Sequence, residues 1–422
     1  MNRRAALAWS VVLTLFAPLV ASAASPLPAS VFKARRERLM KQLGPGVAVL
    51  YGKGEEDRDG FKSHPDFHYL TGVDEPGAVL VLAPGERLNR DYLFLKALDP
   101  EEERWTGYRP ALGDSLQRSL GFDVVRRTGA LESTLQRLLA HQPVLHQIAE
   151  PVNASTPQPP EQELYGKLQA RVMGLTVKNQ QRAIAAMRMV KELDELRLME
   201  RAIAITIGAQ KVAARAIRPG TTENTVVGLI DLEYRRGGAL RPAFPSIVGS
   251  GPNSVVLHYP EHDATFAAGA LVVVDIGAEI GGYAADITRT WPVDGRFTPE
   301  QRAIYEKVLE VQNACIAMIK PGVYYEDVHR RAEEMFRAAG LRDDFTHGLG
   351  HGVGLEVHDA FDTGIPLQAG MVVTVEPGLY LKERGFGVRI EDEVLVTSNG
   401  HRLLTEALPR DPGEIERMMR GE

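Results

Sequence analysis

A chain of two α/β units is predicted by three features of these 422 residues. Strand-like apolar runs (VAVLYG, GAVLVLAP, DYLFLKAL) alternate with helical patterns over residues 28–150, an N-terminal α/β domain. The stretch PVNASTPQPPEQEL is rich in proline and polar residues, the composition of a linker or long surface loop, placed at residues 151–178. Strands, glycine turns and helices then alternate again within residues 179–410, a second, mixed α/β (α+β) domain. A hydrophobic content of 44% is enough for two domains with separate cores.

The chain starts with Arg3 and Arg4, an apolar stretch over residues 5–20, and the small residues Ala21-Ser22-Ala23. That pattern reads as a secretory signal peptide over residues 1–23, which implies a secreted or periplasmic protein. A membrane anchor is the rival, but about 16 apolar residues fall short of the roughly 20 a spanning helix needs. Residues 31–42 form a charged helix with Arg35, Arg36 and Arg38 on its wet side, and further helices follow near residues 114–120 and 130–139. The segment RAIAAMRMVKELDELRLMERAIAITIGAQKVAARAI reads as two helices separated near Asp194; Arg218-Pro-Gly-Thr-Thr ends the second and caps a third. Cys315, without a partner, is expected to be a buried structural thiol. Asn153-Ala-Ser155 fits a glycosylation site if the secretory route is eukaryotic. With 49 Lys+Arg against 55 Asp+Glu, no polybasic surface points to nucleic acid or to an anionic membrane.

Chemistry concentrates in the second domain. Asp275 ends the run LVVVD and Asp286 lies in YAADITRTW, with Gly281-Gly282 between them making a β-hairpin. A turn centred near Ile280-Gly281 would set the two aspartates opposite each other, roughly 4.5–5.5 Å apart at Cβ. Glu376 ends MVVTVE and Glu391 lies in GVRIEDEVLV, a second hairpin-like pair. A lone acid is normally a surface charge. Four acids embedded in β-branched apolar runs need a cation between them, because an unpaired buried carboxylate costs several kcal/mol. Carboxylates with one imidazole, His351, suit two divalent metal ions of hard or borderline character, Mn2+, Co2+ or Zn2+.

THGLGHGVGLEVHD adds His347, His351 and His358, and His258 lies in VVLHYP. His347 and His351 have the spacing of a zinc-protease helix. The interleaved glycines oppose a helix, however, and Gly348 stands where such a protease has its Glu. A single histidine on an apolar face is usually a core residue. Three within twelve positions, with a fourth before the first aspartate strand, favour function.

GSGPNSVVLHY, VVVDIGAEIGGYAADITRT, HGLGHGVGLEVHD, TVEPGLY and VRIEDEVLV, in that order, resemble the metal-dependent pita-bread peptidases. That group includes aminopeptidase P, prolidase and methionine aminopeptidase. SHPDFHYLTGVDEPGAVLVLAP and EERWTGYRP resemble the N-terminal domain of aminopeptidase P. The resemblance implies a C-terminal pita-bread catalytic domain holding two metal ions per chain, with Mn2+ foremost. Asp275 would chelate the first metal, Asp286 and Glu391 would bridge both, and His351 and Glu376 would complete the second. Glu376 would also shuttle the proton of the attacking water. His258 and His358 would position the peptide and stabilise the tetrahedral intermediate, and His347 would line the entrance or proline pocket. Tyr380 and Arg389 match supporting positions, and Trp105 corresponds to a tryptophan that reaches a neighbouring subunit's active site, so a homo-oligomer is implied. His262 departs from the asparagine common among relatives. The implied substrates are peptides with proline second, whose tertiary amide lacks an N–H.

Prolidase is the nearest rival reading, with the same chemistry on dipeptides. A metal-free creatinase-like C–N hydrolase on the same fold would not need all five ligands. A non-catalytic binding module is the bland alternative, and such proteins usually lose ligands.

Overall fold

The computed structural model describes residues 26–57, 60–148 and 160–421. The leader at residues 1–23, Asn153 and part of the expected linker lie outside the described residues.

The N-terminal apolar runs form a six-stranded mixed sheet. Across it lie Val124–Arg127, Asp91–Leu95, Val79–Leu82, Val47–Tyr51, Val144–Gln147 and Thr176–Asn179. Val79–Leu82 pairs antiparallel with both Val47–Tyr51 and Asp91–Leu95, and the three outer pairings are parallel. Alternation splits its side chains between two layers. Val47, Val49, Val79 and Val81 meet the Leu131–His141 and Pro160–Gln169 helices through Leu135, Leu138, Tyr165 and Leu168. Ala48, Leu50, Leu80 and Leu82 belong to a core shared with Phe32, Met40 and Phe67 on the Ala29–Leu43 and Pro65–Thr71 helices.

Three expectations change here. The second core runs on without a break into the C-terminal domain, so the two domains do not have wholly separate cores. The described part of the expected linker is structured: its helix packs on the sheet, and Thr176–Asn179 closes an edge. TVKN escapes a periodicity reading because an edge strand, paired on one side only, needs no apolar run. Arg35 and Arg36 are fully buried (0% exposed), not on a wet face; Arg38 alone stays largely outside. Arg36 is neutralised by Asp91 at 2.8 Å, and Arg35 by Glu192 at 3.1 Å and Glu195 at 3.2 Å in the next domain.

The Gln181–Met189 and Leu193–Ala216 helices break at residues 190–192, where Glu192 and Glu195 form a capping box. Thr222 caps the third helix, Glu223–Arg236, by accepting from the Thr225 N–H. Cys315 is buried against the Val328 carbonyl. No helix among the described residues is long and apolar enough to cross a membrane.

Candidate metal centre

The first hairpin supplies two acids. Leu271–Ile276 pairs antiparallel with Ile287–Pro292, and the short Glu279–Ile280 and Tyr283–Ala284 strands lead into the turn. Gly281 (φ 60°) and Gly282 (φ 87°) are its two central residues, the positive-φ pair of a tight hairpin turn. This corrects the expected register. A turn centred on Ile280-Gly281 would force β-branched Ile280 to positive φ, so the turn moves on by one and Asp275 faces Thr288 instead of Asp286. Because pairing shifts by two positions, the face is preserved, and both aspartates still point to one side.

The second hairpin is split in two. Val372–Val375 pairs with Asp392–Val396, and Gly378–Leu381 pairs with Phe386–Arg389. Val375 faces Asp392 and Gly378 faces Arg389 in one common register, which sets Glu376 against Glu391 in the gap between the ladders. Two buried glutamines pin these breaks from behind. The Gln210 amide donates to the carbonyls of Val274 and Ile287, at 3.0 and 2.8 Å. The Gln312 amide donates to those of Val375 and Ile390, at 3.0 and 3.1 Å. Every one of these carbonyls adjoins an acid of the cup. Sequence reasoning missed both glutamines; their only signal is a polar residue on the apolar stripe of a helix.

Asp286, His351 and Glu391 each bring an atom within 4.8 Å of the others. His351 Nε2 lies 3.6 Å from Asp286 and 3.2 Å from Glu376. Thr288 donates to Glu391 at 2.6 Å, and Thr374 donates to Glu376 at 3.1 Å. Asp275 accepts from Arg389 at 2.7 Å. Even so, one oxygen each of Asp275, Asp286 and Glu391 is buried without a partner. Burial raises the Asp286 carboxyl well above its usual range, and the charges of Glu391, Asp275 and Glu376 add to the rise. Glu391 is driven up likewise, by burial and then by Glu376 and Asp275. In Glu376 burial acts upward, but the hydrogen bond and charge of His351, with His347 and Arg389, together outweigh it and hold the group below its usual range. His351 is correspondingly raised against its own burial. Buried oxygens without donors, in mutual repulsion, fit a divalent cation.

The remaining site residues form a relay beside the cup. Arg389 can only donate, and it reaches the Tyr380 hydroxyl at 2.8 Å. Tyr380 therefore gives its own proton to His347 Nε2 at 2.9 Å, leaving His347 Nδ1–H to the Gly348 carbonyl at 2.7 Å. Burial lowers the His347 pKa, consistent with that neutral ring. His351 and His358 meet edge to face with centroids 4.0 Å apart. His358 is lowered by burial and by His351, and it also feels His258. No helix forms around His347 and His351. His262 is the one non-glycine residue with positive φ among the described residues, at 54°, a conformation that asparagine and histidine both tolerate. Trp105 is not brought to the cup; it lies 87% exposed on the Pro100–Thr106 helix of the N-terminal domain.

Comparison with known proteins places these residues in context. The sequence model of metallopeptidase family M24 matches residues 197–398, and that of the aminopeptidase P N-terminal domain matches residues 32–146. The Xaa-Pro aminopeptidase of Escherichia coli is 34% identical over 92% of this chain and 97% of its own length. That of Haemophilus influenzae is 33% identical over 93% and 98%. Among solved structures, a putative aminopeptidase P from Bacillus anthracis is similar with a TM-score of 0.87 at 29% identity, covering 94% of this chain and 99% of that one. A glutamate-to-alanine variant of E. coli aminopeptidase P in complex with substrate is similar with a TM-score of 0.84 at 32% identity, over 94% and 99%.

Proposed function

This chain belongs to metallopeptidase family M24 and carries the N-terminal domain of aminopeptidase P, and from that premise we propose that it is an Xaa-Pro aminopeptidase. It is a hydrolase by family. In this reading it removes the first residue from peptides whose second residue is proline, outside the cytoplasm if the leader acts as a signal peptide. One observation carries the metal dependence: buried oxygens of Asp275, Asp286 and Glu391 lack hydrogen-bond donors, and Asp286 and Glu391 converge with the His351 imidazole.

Asp275, Asp286, His351, Glu376 and Glu391 would hold two divalent ions, Mn2+ or a borderline ion such as Co2+ or Zn2+. Bound there, the ions lower the pKa of a water and polarise the scissile carbonyl. The chain's own residues do the rest. Glu376, kept ionised by His351, takes the proton of the attacking water and returns it to the leaving prolyl nitrogen. His258 and His358, close enough to influence each other's charge, would donate to the carbonyl oxygen as charge develops. Tyr380 and Arg389 lock His347 in place at the wall of the proline pocket.

The dipeptidase reading requires a free basic group for the substrate's carboxylate. Arg389, the buried guanidinium of the cup, is already engaged by Asp275, Tyr380, Thr288 and the Leu257 carbonyl. That favours the aminopeptidase. Turnover of Ala-Pro-Ala at a rate at least equal to that of Ala-Pro is expected, and activity confined to Ala-Pro would make the enzyme a prolidase. A homo-oligomer is proposed as well, with exposed Trp105 as a residue offered to a neighbouring subunit. Light scattering on Trp105→Ala tests that: the wild type should exceed the monomer mass.

A further inference from the structure

We propose that Asp66, in the N-terminal domain, is a positioning residue for the active-site histidines, acting through Arg188 and Asp359. This rests on the metallopeptidase reading above. Asp66 lies on the Pro65–Thr71 helix and is buried, as are Arg188, Lys191 and Asp359. Arg188 donates from Nη1 to Asp66 at 2.7 Å, and from Nη2 to Asp359 and to Glu356. Lys191 holds the other Asp359 oxygen at 3.0 Å. Asp359 is thus fixed by two cations, one of them aligned by the neighbouring domain.

Asp359 in turn shapes the loop that carries both histidines. Its N–H donates to the Gly352 carbonyl at 2.8 Å, closing residues 352–359 into a ring. His358 is the residue before that bond, and His351 the residue before Gly352. The same Gly352 carbonyl takes the second nitrogen of the His351 ring, Nδ1, at 3.1 Å. With Nδ1 held there, Nε2 is the ring atom that faces Asp286 and Glu376. The fit is tight: a Cβ on Gly354 would sit 2.1 Å from Asp359 Oδ2 and 2.9 Å from Lys191 Cε. Orientation of a ligand imidazole through such an outer contact is worth about 10–100-fold in metal affinity.

Mutants of the purified protein test this with two readouts, Mn2+ affinity of the metal-free form by calorimetry and kcat and KM on Ala-Pro-Ala. Asp66→Asn should weaken Mn2+ binding and lower kcat by about tenfold or more, with KM within about twofold, and Asp66→Glu should recover most of the loss. Gly354→Ala, which displaces Asp359 without altering any charge, should give the same signature and covers the case where Asp66→Asn fails to fold. Asp91→Asn breaks a buried pair of the N-terminal domain far along the chain from the loop. It should lower the Tm while leaving Mn2+ affinity and kcat unchanged. Wild-type Mn2+ affinity and kcat in folded Asp66→Asn or Gly354→Ala would overturn the inference, as would equal losses in Asp91→Asn. A wild-type protein that neither binds Mn2+ nor cleaves the peptide would instead refute the proposed function, and the inference with it.

Discussion

In the seam between the domains and in the N-terminal core beside it, Arg35, Arg36, Arg188 and Lys191 are buried, and each meets a carboxylate: Glu192 and Glu195, Asp91, Asp66, Asp359. In the cup, Asp275, Asp286, Glu376 and Glu391 are met by one guanidinium, Arg389, and one imidazole, His351. Both regions are buried, and both are rich in charge. Each of those four cations is paired with a carboxylate of the chain, whereas the cup leaves three carboxylate oxygens without donors. A fold that compensates buried charge so carefully in one place, and leaves it uncompensated in another, reserves the second for a cation from solution.

The sharpest way to break this contrast is at Glu376. Glu376→Ala should cut turnover by about 10²–10⁴-fold or beyond detection, the range lost with a positioned general base, while circular dichroism stays native. Rates like those of the wild type would remove Glu376 from the mechanism. Asp286→Asn should drop metal content below two ions per chain by elemental analysis; full content would mean its bridging role is misassigned.

Stability against pH separates the regions further. Asp286 and Glu391 have raised pKa values in the folded, metal-free protein, and burial lifts Glu393, which accepts from the Asp286 N–H, to about 8. An acid raised on folding contributes stability that is present in full below its unfolded value, near 4, and is lost as pH climbs through the folded value. The Tm of metal-free protein should therefore fall between about pH 4 and 8, and Mn2+ should flatten the slope. A slope that Mn2+ leaves unchanged would break the link to the cup. Beside the seam, Asp91→Asn strips Arg36 of its carboxylate and should cost about 3–5 kcal/mol by denaturant unfolding, with activity per folded molecule retained. Loss of activity without loss of stability would reverse the contrast between seam and cup.

The cup was more legible in the sequence than the seam, for a physical reason. Acids inside β-branched runs contradict their surroundings, so Asp275, Asp286, Glu376 and Glu391 stand out one by one. Strands and helices declare themselves by apolar periodicity, and the three central apolar strands of the N-terminal sheet are legible that way, whereas Val124–Arg127, Val144–Gln147 and Thr176–Asn179 are not. Arg35 and Arg36 were not, since a charge on a helix looks solvated until its partner arrives from elsewhere. Arg35 meets Glu192 only across the domain boundary. The hairpin register was missed because it depends on which two residues adopt positive φ, and the GG pair settles that only when Ile280 is excluded. Gln210 and Gln312 were invisible because their purpose is to satisfy carbonyls of another element.

The most direct measurement is a calorimetric titration of fully chelated protein with Mn2+, run alongside hydrolysis of Ala-Pro-Ala. Two ions bound per chain, with activity absent before titration and restored by it, is the predicted result. Hydrolysis that survives exhaustive chelation, or a cup that takes up no ion, would contradict it.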